Sequence, residues 1–194
     1  GNAGRGGHQL TERTSEQVFA AREEAAAFFG GKPENTIFCL NCTHALNLAI
    51  QGIVQPNDHV IISNLEHNAV LRPVAAMVRE RGVQCSIAPV SVDDKETIAA
   101  FRARIRPNTR AMICTLASNV TGQILPYREL AALCNEHDIC MIADGAQACG
   151  TLPVQMSDGI NILCTAGHKG LYGATGTGLL ITDTKFPIKP LLYG

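Results

Sequence analysis

The sequence predicts a three-layer α/β domain, a mostly parallel sheet with helices on both faces. Three observations carry this. Short apolar runs alternate with amphipathic segments of helical period along the 194 residues, the pattern of repeated β-α units. Runs such as Val60-Ile61-Ile62 and Met141-Ile142-Ala143 are apolar at successive positions, as expected of strands covered on both sides. Hydrophobic residues make up 46% of the chain, enough for a real core at this length and too many for a disordered chain.

The elements follow in order. Residues 15–29 read as a helix with Val18, Ala21, Ala25 and Phe28 on its inner face, ended by Gly30-Gly31. Residues 36–40 read as a short buried strand, and a helix from Thr43 sets Leu46, Ala49, Ile50 and Ile53 on one side. A strand over 59–63 and a helix over 68–81 come next, then a strand near 83–88. A helix near 94–106 carries Asp93 and Asp94 at its start and Arg102, Arg104 and Arg106 at its end, as the helix dipole favours, with Pro107 as its stop. Strand 110–115, helix 126–136 and strand 139–143 continue the alternation, and short strands are expected near 161–164 and 178–182. Residues 183–194, with Pro187 and Pro190, read as an exit segment leading away from the domain.

Composition excludes several classes. A net charge of −1, from 16 basic and 17 acidic residues, does not suit a nucleic-acid module, which carries net positive charge. No stretch approaches the ~20 apolar residues of a membrane span. The eight cysteines lie largely in apolar runs and read as reduced core thiols of a cytoplasmic protein. Cys39 and Cys42 form a C-x-x-C with no second ligand pair, so no metal site is expected. Only 17% of residues are charged, against roughly 25% on average. Much of the surface is therefore expected to be covered by a partner.

In open α/β sheets, ligands bind beyond the carboxyl ends of the strands. Polar residues gather there: Thr43 and His44, Glu66 and His67, Ser118 and Asn119, Asp144 and Gln147, Thr165, His168 and Lys169. Asp144 directly follows an apolar strand, where an acid needs a partner. Lys169, one of five lysines, stands among Gly167, Gly170, Gly173, Gly176 and Gly178. A lysine and a carboxylate at such an edge suit pyridoxal phosphate: the lysine forms a Schiff base and the acid pairs with the pyridine nitrogen. The helix start at Thr43 offers a phosphate seat, and His67 is placed to cover the ring. The glycine-rich 173–178 segment precedes a strand rather than a helix, which speaks against a dinucleotide fingerprint.

Six stretches in order, GNAGRGGH (ending at His8), CTHALN (42–47), EHNAV (66–70), SNVTG (118–122), DGAQ (144–147) and GHKGLYGATGTG (167–178), resemble the class V aminotransferases, and within them the cysteine desulfurase-like proteins. Asp144 and Lys169 stand 25 positions apart. The resemblance spans almost the whole chain. It implies a fold-type-I large domain over 1–182, with 183–194 leading toward a smaller C-terminal domain. It implies pyridoxal 5'-phosphate as cofactor, Lys169 as the Schiff-base lysine and Asp144 as partner of the ring nitrogen. Gln147 then bonds the phenolic oxygen, His67 stacks and moves protons, and Thr43 and His168 hold the phosphate. Asn119 lies where the family contacts cofactor or substrate carboxylate. An amino-acid substrate, cysteine favoured, a homodimer and a sulfur-acceptor protein are likewise implied.

Selenocysteine lyase, transaminase or epimerase activity, or a catalytically incomplete remnant, stand as alternatives within the same resemblance. Relatives are about twice as long, and their substrate-binding arginine and desulfurase cysteine have no counterpart here. The chain also carries Ala166 where near relatives have Ser, His44 where many have Glu, and Ala174 where many have Pro.

Overall fold

A computed structural model describes residues 8–191. The glycine-rich opening before His8 and the last three residues of the expected exit segment lie outside the described residues. The elements are α1 (Gln9–Phe28), β1 (Thr36–Cys39), α2 (Cys42–Ile53), β2 (His59–Ser63), α3 (Asn68–Arg81), β3 (Gln84–Ala88), α4 (Asp94–Arg102), β4 (Thr109–Thr115), α5 (Tyr127–Glu136), β5 (Cys140–Asp144), β6 (Ile162–Ala166) and β7 (Gly178–Thr182), with 3-10 turns at Pro33–Asn35 and Met156–Asp158. The seven strands form one sheet in the order β1-β7-β6-β5-β4-β2-β3. Strands β3, β2, β4, β5 and β6 are parallel, and β7 runs antiparallel to both β6 and β1.

Period-2 alternation divides the core into two layers. Ile61, Met112, Met141, Leu163 and Ile181 pack against Phe29, Phe101 of α4 and Leu130 of α5. Val60, Ile113, Ile142, Cys164 and Leu180 pack against Leu46 and Ile50 of α2 and Val70 and Val74 of α3. The three-layer α/β arrangement read from the sequence is the one observed.

Caps hold the helices that matter for the site. Asn41 accepts the His44 N–H at 2.8 Å, and His44 Nδ1 accepts the Leu40 N–H at 3.2 Å. Asn41 is thus the N-cap of α2, and the His44 ring fastens the residue before it to the first turn. His67 Nδ1 accepts the Ala69 N–H at 3.1 Å to cap α3, and Gly82 closes that helix with φ of 66°.

Four expectations need correction. Helix α1 begins at Gln9, and most of its expected inner face is outside: Phe28 is 55% exposed and Val18 is also exposed, while Ala25 packs on the core and Ala26 is buried. The helix flanks an edge strand and has little sheet to lie on. That strand, β1, was expected to be buried, but it pairs only with β7 and leaves Ile37 and Phe38 exposed. Helix α4 ends at Arg102 rather than near 106. Arg104 Nε instead donates to Ile87 O and Arg106 Nη1 to Gln84 Oε1, both at 2.7 Å, pinning the turn to β3. Finally, residues after β7 do not lead straight away. Phe186 is buried, Ile188 packs on the α2 layer, and Lys189 N–H donates to Gly52 O at 3.0 Å.

His59 supplies a pH-sensitive joint at the sheet's far end. It is fully buried, with Nδ1 2.8 Å from Thr109 Oγ1 and Nε2 2.9 Å from Ser86 Oγ, linking β2 to β4 and β3. Burial, helped by Arg106, lowers its pKa from 6.5 to about 4. Between those values the unfolded chain binds a proton that the native one refuses, so stability falls as pH drops from 6.5 toward 4. The expected loss is at most about 3 kcal/mol. Melting temperatures from pH 7 to 4 should show this contribution as a difference between two proteins: the wild type should lose more than His59→Phe as pH falls.

Candidate active site

The site lies where the parallel strands end. Asp144 is the last residue of β5, not the first after it, and is 3% exposed. Its register partner across the ladder is Thr115, the last residue of β4. Thr43 stands in the first turn of α2, His67 directly before α3, Asn119 after β4, Gln147 after β5 and Lys169 after β6. These seven residues line one cavity of about 50 Å³. Thr43 and His67 also line an adjoining groove of about 430 Å³ that runs between α2 and α3 past Asn47, Gln51 and Arg72. His168 is exposed and does not line the cavity.

Asp144 is held from one side only. Its Oδ1 accepts the Ala146 N–H at 2.9 Å and the Cys42 thiol at 3.3 Å. Among the described residues Oδ2 has no hydrogen-bond partner, which leaves it for a donor inside the cavity. The α2 N-terminus beside it presents the N–H groups of Cys42 and Thr43, which have no intrahelical acceptor. With the Thr43 hydroxyl they form a seat for an anion. His67 Nδ1 is already an acceptor, so a neutral ring carries its proton on Nε2. Lys169 is exposed, and its Nζ makes no hydrogen bond or ion pair among the described residues.

Glycine contact positions the lysine. Gly150 has φ of 84° and its Cα faces the backbone of Gly170, while Gly170 faces Cys149 O. A β-carbon at either would collide with the other strand of backbone. The Lys169 turn therefore sits directly on the 148–151 turn that follows Gln147. Gly150→Ala is expected to cost about 1–3 kcal/mol and to displace the lysine, which a denaturant midpoint and cofactor titration would both register.

Two of the cavity residues with polar side-chain atoms, Cys42 and Thr115, are not site residues in the sequence reading. Cys42 reads from the sequence as half of a C-x-x-C and as one of the residues following the 36–40 strand, with no role at the cofactor; in the structure it begins α2 and touches Asp144. Its immediate precedence to Thr43 was the available signal. Thr115 was hidden because its importance depends on strand register. Glu66, beneath the cavity, accepts hydrogen bonds from Ser63 Oγ and the Thr115 N–H. Burial pushes its carboxyl from 4.5 up to about 8, against the lowering effect of those hydrogen bonds.

A buried carboxylate with one free oxygen, an anion seat and an unpaired lysine around one cavity form a donor set for a phosphorylated, aldehyde-bearing aromatic. The class-V aminotransferase family model matches residues 1–194. The chain belongs to the class V aminotransferases, a family of pyridoxal-phosphate enzymes.

Among its relatives in that family are cysteine desulfurases. It is 32% identical to the cysteine desulfurase of Serratia proteamaculans over 183 residues, covering 91% of this chain and 45% of that protein. It is 31% identical to a probable cysteine desulfurase of Mycobacterium leprae, covering 92% and 30%. The apo cysteine desulfurase of Thermococcus onnurineus superposes with a TM-score of 0.91 at 25% identity, over 100% of this chain and 50% of that one. The chain thus spans half or less of the length of these proteins.

Proposed function

We propose that this chain is the cofactor-binding part of a pyridoxal-phosphate enzyme that takes sulfur from cysteine. The observation that carries the reading is the meeting of Asp144 Oδ2, the α2 N-terminus and Lys169 at a single cavity. The substrate class comes from the relatives, which are named as cysteine desulfurases.

The residues present fit the cofactor. Asp144 keeps an unpaired oxygen for a pyridinium N–H, and its buried charge needs such a partner. Thr43 and the first N–H groups of α2 receive the phosphate. Gln147 donates to the phenolic oxygen, and His67 covers the ring face with its Nε2 proton available. Asn119 contacts the cofactor or the substrate carboxylate. Lys169 Nζ is the amine that would hold the aldehyde carbon. When bound, the cofactor supplies an electron-poor ring that accepts negative charge from the substrate's α-carbon. Asp144 supports this by keeping a proton on the ring nitrogen.

All eight cysteines are free, seven buried and Cys85 half-buried. Burial raises the pKa of each thiol. Such thiols make poor nucleophiles, so in this reading the sulfur-accepting thiol comes from outside these residues. Residues 1–182 then act as the large domain, paired with a second copy and serving a sulfur-acceptor protein.

The test is to add pyridoxal phosphate to the purified chain, reduce with borohydride and map the modified peptide. A single label on Lys169 is expected. Absence of label, or label spread over the other lysines, would sink the reading.

A further inference from the structure

We propose that Glu66 is a positioning residue for this site: its buried carboxyl ties the loop carrying His67 to the β4 backbone beside Asp144. It thereby sets where the imidazole stands over the cavity. The proposal rests on reading the cavity as the cofactor site.

The argument begins with backbone accounting. Leu116 N–H donates to Asp144 O at 2.9 Å, on the β5 side of β4. The preceding N–H, that of Thr115, faces the opposite side, where β2 is the neighbour. But β2 ends at Ser63, and its pairing with β4 stops at Ile62 and Ile113. A buried N–H at that point needs an acceptor. Glu66 supplies it: Thr115 N–H lies 2.9 Å from Oε1 and 3.1 Å from Oε2. The carboxyl thus extends the β2–β4 ladder by one hydrogen bond after β2 itself has ended.

The same carboxyl is held from behind. Ser63 Oγ donates to Oε1, and Leu65 N–H donates to Ser63 Oγ at 3.1 Å. On the other flank the loop is tied to β3: Asn64 N–H donates to Ala88 O at 3.0 Å, and Asn64 Oδ1 accepts the Val90 N–H at 2.9 Å. The four residues between β2 and α3 are therefore fastened to both neighbouring strands, through Asn64 on one side and Glu66 on the other. His67 is the next residue. With its backbone fixed, its Nδ1 reaches the Ala69 N–H at 3.1 Å. Glu66 is 8% exposed and does not line the cavity, so it acts through His67 and Thr115 rather than on a ligand.

Its geometry also defines the substitutions. Glutamine can place its carbonyl on Thr115 N–H and turn its amide N–H toward Ser63 Oγ, which has lone pairs to accept it. Alanine removes both bonds. Aspartate is one methylene short and cannot hold the two ends together.

The test compares Glu66→Gln and Glu66→Ala in the full chain without cofactor. Long-range proton–nitrogen spectra read the His67 ring, and hydrogen exchange reads the Ala69 amide. Glu66→Gln should keep the unprotonated Nδ1 signature. Glu66→Ala should lose it and speed Ala69 exchange on the order of tenfold. If a folded Glu66→Ala keeps both signals, or Glu66→Gln loses them as alanine does, the proposal is overturned. If the alanine variant does not fold, Glu66→Asp is read in the same way, and retention of both signals there overturns it too. Borohydride labelling of the wild-type chain is scored separately. Its failure would remove the cofactor reading while the His67 signals still decide the placement.

Discussion

Lys169→Ala is expected to abolish covalent capture of pyridoxal phosphate while leaving the fold and its melting temperature unchanged. The two halves of this outcome have separate causes. Lys169 is exposed and its Nζ has no partner among the described residues, so truncation removes no packing. Surface changes of this kind stay within about 0.5 kcal/mol. The backbone turn is kept in place by the Gly150–Gly170 approach and by Tyr172 N–H on Lys169 O at 2.9 Å, none of which involves the side chain. Covalent capture, by contrast, needs the amine itself. The anion seat and Asp144 remain, so reversible binding should persist. Dialysis should therefore strip the cofactor from the variant and not from borohydride-treated wild type. A variant that is still labelled would move the reactive amine elsewhere.

Asp144→Asn should have the second largest effect, and it separates charge from shape. An asparagine oxygen can still accept the Ala146 N–H and the Cys42 thiol, which occupy Oδ1, so the β5 end keeps its geometry. What is lost is the negative charge facing a pyridinium N–H. Breaking a buried charge pair costs about 3–5 kcal/mol, or on the order of 10²- to 10⁴-fold in affinity. A titration of the cofactor against wild type and variant measures this directly. Equal affinities would mean that Asp144 is not the ring-nitrogen partner.

How far the sequence carried can be judged from particular elements. β2, α3 and β7 fall on the bounds read from the sequence, because each has strong local signals: an unbroken apolar run, or a capping side chain and a left-handed glycine at Gly82. What the sequence could not hold was the identity of neighbours. The apolar run 36–40 describes a strand, but its edge position depends on β7, far along the chain. Val18 and Phe28 have helical spacing, yet nothing local says that α1 will flank only an edge strand. Arg104 and Arg106 look like helix-end charges until β3 offers them acceptors.

The site shows the same division. Thr43, His67, Asn119, Asp144, Gln147 and Lys169 stand at or just after strand ends, and topology alone carries such residues to one edge; the cofactor roles of Asn119 and Gln147 are legible only through the family resemblance. His168 shares that logic but is exposed away from the cavity lining, since only one of two adjacent residues in the turn joins it. Cys42 and Thr115 depend on contacts with Asp144 across elements, a property of the assembled sheet. His44, which has no functional reading from the sequence, accepts the Leu40 N–H on its ring and so ties the end of the β1 segment to the helix that seats the anion.

The pairing of β1 with β7 also bears on how the protein folds. Thr36 meets Ile181 and Cys39 meets Gly178, so this seam joins segments from nearly opposite ends of the described chain. Long-range pairings of this kind are slow to form, because loop-closure entropy is lost before contacts repay it. Gly178, packed against the Asn41 backbone just before α2, makes the seam tight where Thr43 begins its helix. Thr43 and Lys169 thus lie on the two chain segments that this last closure brings together. Cofactor capture should consequently lag behind recovery of secondary structure during refolding, and serve as the signal that the sheet has closed.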